Sequence, residues 1–250
     1  MLDSAGFPMR IARRNGAAHS GSMLGSAPLL RCPAGAIIAR GGEVVSGLHG
    51  EDVRPVLLAA RLKADTAFAH QQTEARVDIA GSITNPAAYR RWLARSLALY
   101  RPLEHRLAPQ IGNSDHDWLV AGLGLSAAIA SDLQSLGVDP WNIPDAPTSA
   151  LPALDTEAGS IGCLYVLEGS KLGGRIIRRQ LMACGIADAE TSTFLQLGGD
   201  DLGRNWQEFR CNLDRYGAAH PERIGGVIDG SIATFKAVAV WLDARAWRLG

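Results

Sequence analysis

The chain has 250 residues, of which 47% are hydrophobic, enough to fill one large core. Lysine plus arginine equals aspartate plus glutamate at 25 each, so no excess positive charge is available for a phosphate backbone or an anionic membrane surface. The four cysteines, Cys32, Cys163, Cys184 and Cys211, lie far apart with no CxxC pair, the usage of reduced thiols in a cytoplasmic protein rather than of a disulfide framework or zinc site.

No apolar run is read as reaching the roughly 20 residues that span a bilayer, so neither a membrane nor a nucleic acid is expected as a partner. Residues 1–51 are rich in Gly, Ala, Ser and Arg and lack a sustained period. They are expected to form a flexible, disordered extension. Arg10, Arg13 and Arg14 suggest a targeting peptide, but no apolar signal core follows them.

From residue 52 to 250 the pattern is helical. The first helix is expected from Pro55 to about Val77, with the proline in the first turn where its missing N–H costs nothing. A second begins with Asn85 as N-cap and Pro86 at N1 and should bend or end at Pro102. The third spans about Asp115 to Leu136 and stops at Gly137 before a proline-rich loop from Pro140 to Pro152. The fourth runs from an Asp155 or Thr156 cap to Cys184, with Gly185 as its stop. Two more are expected, Gly203 to Ala219 and Pro221 to about Arg248. No alternating strand pattern or Asn-Gly hairpin signal is present, and the fold class is an all-α, single-domain helix bundle.

Two of these helices carry unusual residues. In LKADTAFAHQQTE, His70 shares a helix face with Lys63, Thr66 and Ala67 upstream and Glu74 one turn downstream. Small neighbours leave room for a flat ligand at the outer imidazole nitrogen. Glu74 can accept a hydrogen bond from the inner one, fixing the tautomer and raising the basicity of an imidazole that binds iron. Lys63 sits roughly 10 Å along the same face by helical rise, about where a carboxylate at a porphyrin rim would lie. Most helical histidines are nonetheless surface or satisfied core groups, and His19, His49, His105, His116 and His220 are read as surface residues.

In the fourth helix the apolar run up to Glu168 is followed by Gly169-Ser170-Lys171-Leu172-Gly173-Gly174. Each interior glycine costs about 1 kcal/mol relative to alanine, so three must be offset by something worth roughly 3 kcal/mol. Bare backbone could lie against a planar molecule. Taken alone, the same glycines suit a close crossing between two helices at least as well.

Together, LKADTAFAHQQTE and GSKLGG resemble the proximal and distal helices of the heme oxygenase family, and LYVLEGSKLGG is particularly similar to members that accompany bacterial phytochromes. The likeness extends from about residue 55 to the C terminus and includes FLQLGGDDLGRNWQEFR. It implies the family's fold, with heme sandwiched between the two helices. His70 would be the iron ligand and Glu74 its hydrogen-bond partner. Lys63 would pair with a heme propionate beside Thr66, Gly169, Gly173 and Gly174 would form the distal wall, and Arg210 would hold the second propionate.

Heme would be both substrate and cofactor, opened with O2 and an external electron donor, a reductase or ferredoxin, to biliverdin, carbon monoxide and ferrous iron, with the bilin supplied to a bacteriophytochrome. Many members place aspartate where this chain has Ser170, and a hydroxyl orders water more weakly. A heme- or bilin-binding protein without turnover is therefore the alternative. A related helical enzyme acting on a small heterocycle is a third reading, for which Cys163 would be the nearest nucleophile.

Overall fold

A computed structural model describes residues 57–112, 118–119 and 123–248. The expected extension over residues 1–51 lies outside them, as do His19, His49 and His116. The described residues form helices and short 3-10 turns with no strand among them: α1 (Leu58–Asp65), α2 (Ala67–Val77), α3 (Ile79–Ser82), α4 (Pro86–Gly112), α5 (Leu125–Ser135), α6 (Glu157–Ala183), α7 (Leu202–Ala219), α8 (Ile224–Trp241) and α9 (Ala244–Arg248).

The first expected helix is divided at Thr66. Its hydroxyl donates to the Leu62 carbonyl at 2.7 Å, the kind of back-bond that loosens a helical turn, and its backbone stands at φ −97°, ψ −4°. The backbone ladder nevertheless continues through it, from Thr66 N to Leu62 O and from His70 N to Thr66 O. The N terminus of α1 is capped from a distance, where Asp214 of α7 accepts from the Ala59 N–H at 2.8 Å.

Asn85 caps α4 as expected, its Oδ1 accepting from Ala88 N at 2.9 Å. Pro102 does not end α4, which runs through it. Proline removes the bond to the carbonyl four residues back, and that carbonyl, on Ala98, accepts instead from Ala146 N at 2.8 Å. The proline-rich loop thus satisfies the group that Pro102 orphans, and buried Leu99, Leu103 and Leu107 keep the helix on the core.

The third expected helix is described as α5 from Leu125, and its expected start at Asp115 lies outside the described residues. Gly124 at its N-cap has φ +100° and supplies no side chain. The cap comes from Glu104 of α4, whose carboxylate accepts from Leu125 N at 2.7 Å and Ser126 N at 3.2 Å. The fourth follows its sequence signals closely: Thr156 accepts from Gly159 N at 3.1 Å, and Gly185 takes φ +64° after the Cys184 C-cap.

Helices α6 and α8 cross at backbone contact distance. A Cβ on Gly162 would lie 2.1 Å from the Val227 carbonyl oxygen and 2.7 Å from Ser231 N, and one on Gly230 would lie 2.4 Å from the Gly159 oxygen. Ser231 Oγ donates to the Gly162 carbonyl at 3.0 Å. Small residues are required here because nothing fits between the two main chains. The close helix crossing offered as an alternative for Gly169 and Gly173 is not found at those two residues but at Gly162, in the N-terminal half of α6.

The stretch Pro221–Ala246 is long and apolar enough to cross a membrane by length and composition, which corrects the expectation that no run in the chain qualifies. In the bundle this stretch forms the packing surface for α6 and α2, with Val227, Ser231, Thr234 and Phe235 buried. Cys163 and Cys184 are free thiols, as expected of reduced cysteines, and Cys32 lies outside the described residues.

Gly162→Ala is expected to destabilise the fold by roughly 3 kcal/mol, the upper end for overpacking, and to lower Tm by roughly 6–12 °C. Gly173→Ala, where an added Cβ meets nothing within 4 Å, should instead raise Tm by roughly 2–4 °C through helix propensity. Thermal unfolding of both variants followed by circular dichroism checks the contrast.

Candidate active site

His70 lies one turn into α2 from Thr66, its side chain 26% exposed. The imidazole packs edge-on against Phe235 of α8, with ring centroids 5.3 Å apart at 83°. Its Nδ1 stands 3.8 Å from Glu74 Oε2, long for a direct hydrogen bond and suited to a water-bridged or charge contact. Burial holds the His70 pKa below its ordinary 6.5, opposed by the Glu74 charge. At neutral pH the ring is therefore the uncharged form, which has a lone pair to offer a metal.

Around it, the residues singled out in the sequence separate by environment. Lys63 is exposed on α1, while Thr66 is buried at the α1–α2 junction with its hydroxyl committed to Leu62. Thr66 also meets Tyr165 of α6. Burial pushes the Tyr165 phenol up, and the Thr66 hydroxyl and the Arg210 charge oppose that push. This contact brings the histidine segment, the glycine helix and α7 to one place. From it, His70 lies one turn along α2 and Gly169 one turn along α6.

The three glycines of α6 divide into two kinds. Gly169 and Gly173 are half-buried; a Cβ on Gly169 would meet only Trp206 Cη2 at 3.7 Å, and one on Gly173 would meet nothing within 4 Å. Gly174 is buried, and its Cβ would stand 2.9 Å from the Leu195 carbonyl oxygen. Gly169 and Gly173 therefore present backbone to open space, whereas Gly174 is needed for packing. Helix α6 passes through all three without interruption.

Ser170 is exposed and its hydroxyl donates to the Leu167 carbonyl at 2.7 Å. Its proton is engaged by the helix, so in this rotamer Oγ can only accept a further hydrogen bond. Either side of it, Glu168 and Lys171 form an ion pair at 2.5 Å whose side chains are 5% and 8% exposed. Burial pushes the Glu168 carboxyl up, against the pull of Lys171. Periodicity could not reveal this pair, because i and i+3 charges on a helix are usually solvated.

Cys163 is fully buried, and burial pushes its thiol up to about 12 against a hydrogen bond with Thr234. A thiol held protonated is a poor nucleophile, which removes the support for the heterocycle-enzyme reading. Among the described residues no group of three or more His, Cys, Asp or Glu side chains could hold a bare metal ion. His105 is exposed and His220 half-exposed beside Glu222, in keeping with their reading as surface groups.

A model of the heme oxygenase family matches residues 56–244. The chain belongs to the heme oxygenase family. It is 30% identical over 132 residues to a heme oxygenase of Xanthomonas campestris, covering 49% of this chain and 76% of that protein. It is 29% identical over 170 residues to heme oxygenase PigA of Pseudomonas aeruginosa, covering 67% and 82%.

Among solved structures, heme oxygenase 2 of Chlamydomonas reinhardtii without heme superposes with a TM-score of 0.64 at 17% identity, over 78% of this chain and 99% of that one. The heme oxygenase of Leptospira interrogans does so with 0.59 at 18% identity, over 75% and 99%. At these identities the superpositions establish the fold, and family membership implies heme binding. The residues fit a flat iron-containing ring: a neutral imidazole is available on one helix, and on another a Cβ would meet only a tryptophan edge at Gly169 and open space at Gly173.

For a member of this family, the state of the imidazole is the first thing to measure. His70 should titrate below 6.5 in a proton NMR pH series, and Glu74→Gln, which removes the charge that raises it, should move the midpoint lower still. Because the folded chain binds this proton more weakly than the unfolded chain, the His70 contribution to stability is present above 6.5 and is lost as pH falls below it. Separately, Gly173→Leu should abolish heme binding in a Soret titration while Tm stays at or above that of the unaltered chain.

Proposed function

We propose that this chain opens heme to biliverdin, carbon monoxide and ferrous iron, with His70 as the iron ligand and the Gly169–Gly173 strip as the opposite wall. The reading rests above all on the site's paired chemistry: an imidazole kept neutral by burial and backed by a carboxylate, and bare helix backbone joined to it through the Thr66–Tyr165 contact. Heme, as the substrate, would bring the iron at which O2 and electrons from an external donor are activated for oxidation of the ring.

The protein's part is positional. His70 Nε2 would face the iron while Glu74, through Nδ1, fixes the tautomer. Lys63 and Arg210 would receive the two propionates, with Thr66 holding the α1–α2 junction between them. Gly169 and Gly173 would let the ring lie against the α6 backbone, and Ser170 Oγ would accept a hydrogen bond from a water that carries protons to the distal side. Gly174 contributes by letting α6 approach Leu195.

The electron donor is proposed to be a reductase or ferredoxin-type protein, and the setting cytoplasmic, with no nucleic acid or membrane as partner, in keeping with the balanced charge. The likeness of LYVLEGSKLGG to phytochrome-associated members supports a bacteriophytochrome as recipient of the bilin. The non-catalytic alternative is favoured by one observation, the commitment of the Ser170 proton to Leu167.

Purified protein mixed with heme and a reductant in air separates the two. Loss of the Soret band with growth of a biliverdin absorbance is the expected result, and a stable histidine-ligated spectrum would select the binder. His70→Ala should remove the histidine ligation, and an unchanged heme spectrum in that variant would refute the assignment.

A further inference from the structure

A helix fixes where a histidine ring stands more firmly than how its plane is turned. Rotation about the bond from Cβ to the ring is broad for histidine, so α2 alone leaves the His70 plane open. Glu74 does not close that freedom directly, because at 3.8 Å its Oε2 is beyond hydrogen-bond range of Nδ1. Phe235 of α8 does meet the ring. The centroids are 5.3 Å apart and the planes stand at 83°, an edge-to-face geometry that is lost when either ring turns.

Phe235 is itself fixed in place. It is 7% exposed, and its carbonyl accepts from the Thr73 hydroxyl at 3.1 Å, a proton shared with the Ala69 carbonyl at 2.8 Å. Ala69 and Thr73 lie either side of His70 on α2. The shared hydrogen bond therefore ties the turn that carries the imidazole to the very residue whose ring packs against it. One turn earlier on α8, Ser231 donates to the Gly162 carbonyl across the α6 crossing. The orientation of His70 is thus referred, through Phe235, to the backbone contact between α6 and α8.

We propose that Phe235 is a positioning residue that sets the plane of the His70 imidazole, while Glu74 acts on its charge and basicity. Two tasks are thereby divided between an aromatic ring on another helix and a carboxylate on the same one. This rests on the reading of His70 as the iron ligand. In the sequence Phe235 is one apolar position in a periodic helix, and its meeting with His70 is visible only in the packed structure.

Phe235→Leu and Phe235→Met test it, since both remove the ring and keep an apolar side chain; Glu74→Gln removes the carboxylate charge and keeps the ring contact. In the heme-free chain, vicinal couplings from the His70 Hβ protons to ring Cδ2 report the ring torsion. In the ferric cyanide complex, the order of the paramagnetically shifted heme-methyl resonances reports the plane of the axial imidazole. Both Phe235 variants should give torsionally averaged couplings and a changed methyl order. Their heme affinity should fall by no more than about tenfold, the worth of an edge contact. Glu74→Gln should leave couplings and methyl order as they are in the unaltered chain.

An unchanged methyl order in the Phe235 variants, or an equal change in Glu74→Gln, would overturn the inference while leaving His70 as the ligand. A ferric complex of the unaltered chain without histidine ligation would overturn the reading of the site and the inference with it.

Discussion

Everything in this bundle is positioned by a contact between two main chains. Where α6 crosses α8, Gly159, Gly162 and Gly230 bring the backbones so close that a single methyl group would intrude on a carbonyl oxygen, and Ser231 ties the crossing with a hydrogen bond across it. The crossing sets the height of α6 over α8. Phe235, one turn beyond Ser231, is thereby placed against His70, and farther along α6 a Cβ would meet only Trp206 at Gly169 and nothing within 4 Å at Gly173. One glycine cluster closes the bundle so that the next can stay open.

The same economy governs the polar groups. Three carboxylates cap elements far from them in sequence: Asp214 takes the first turn of α1, Glu104 that of α5, and Asp132 accepts from Thr193 N at 2.8 Å and Phe194 N at 3.0 Å. Each satisfies backbone donors that a local cap residue fails to reach, typically worth about 1 kcal/mol apiece. They also pin helix ends to neighbouring helices. The ends that matter to the site are held this way, since Asp214 fixes the start of the segment that leads to His70.

Electrostatically the candidate site pairs a neutral imidazole with cations on neighbouring helices. Burial against Phe235 keeps the imidazole uncharged, while the cations of the region, Lys63 and Arg210, stand off from it on α1 and α7. The buried Glu168–Lys171 pair spans Gly169 and Ser170 and gives this glycine-containing turn of α6 a fixed polar link. Removing one partner of such a pair leaves an uncompensated buried charge, so the two residues act as a unit.

By itself the sequence determined the helical class, the caps at Asn85 and Thr156, the histidine with its downstream carboxylate, and the glycine-rich segment that together mark the family. These are local matters of periodicity, backbone freedom and i to i+4 spacing, and short-range physics writes them directly into the chain. Tertiary structure decided the rest. It carried α4 through Pro102 because Ala146 supplies the lost bond, capped α5 with Glu104 where Gly124 has no side chain, and divided the His70 helix at Thr66. It also sorted the glycines into those that pack, Gly162, Gly174 and Gly230, and those that stay bare, Gly169 and Gly173. A glycine's role depends on what stands opposite its missing side chain, and what stands opposite belongs to another part of the chain.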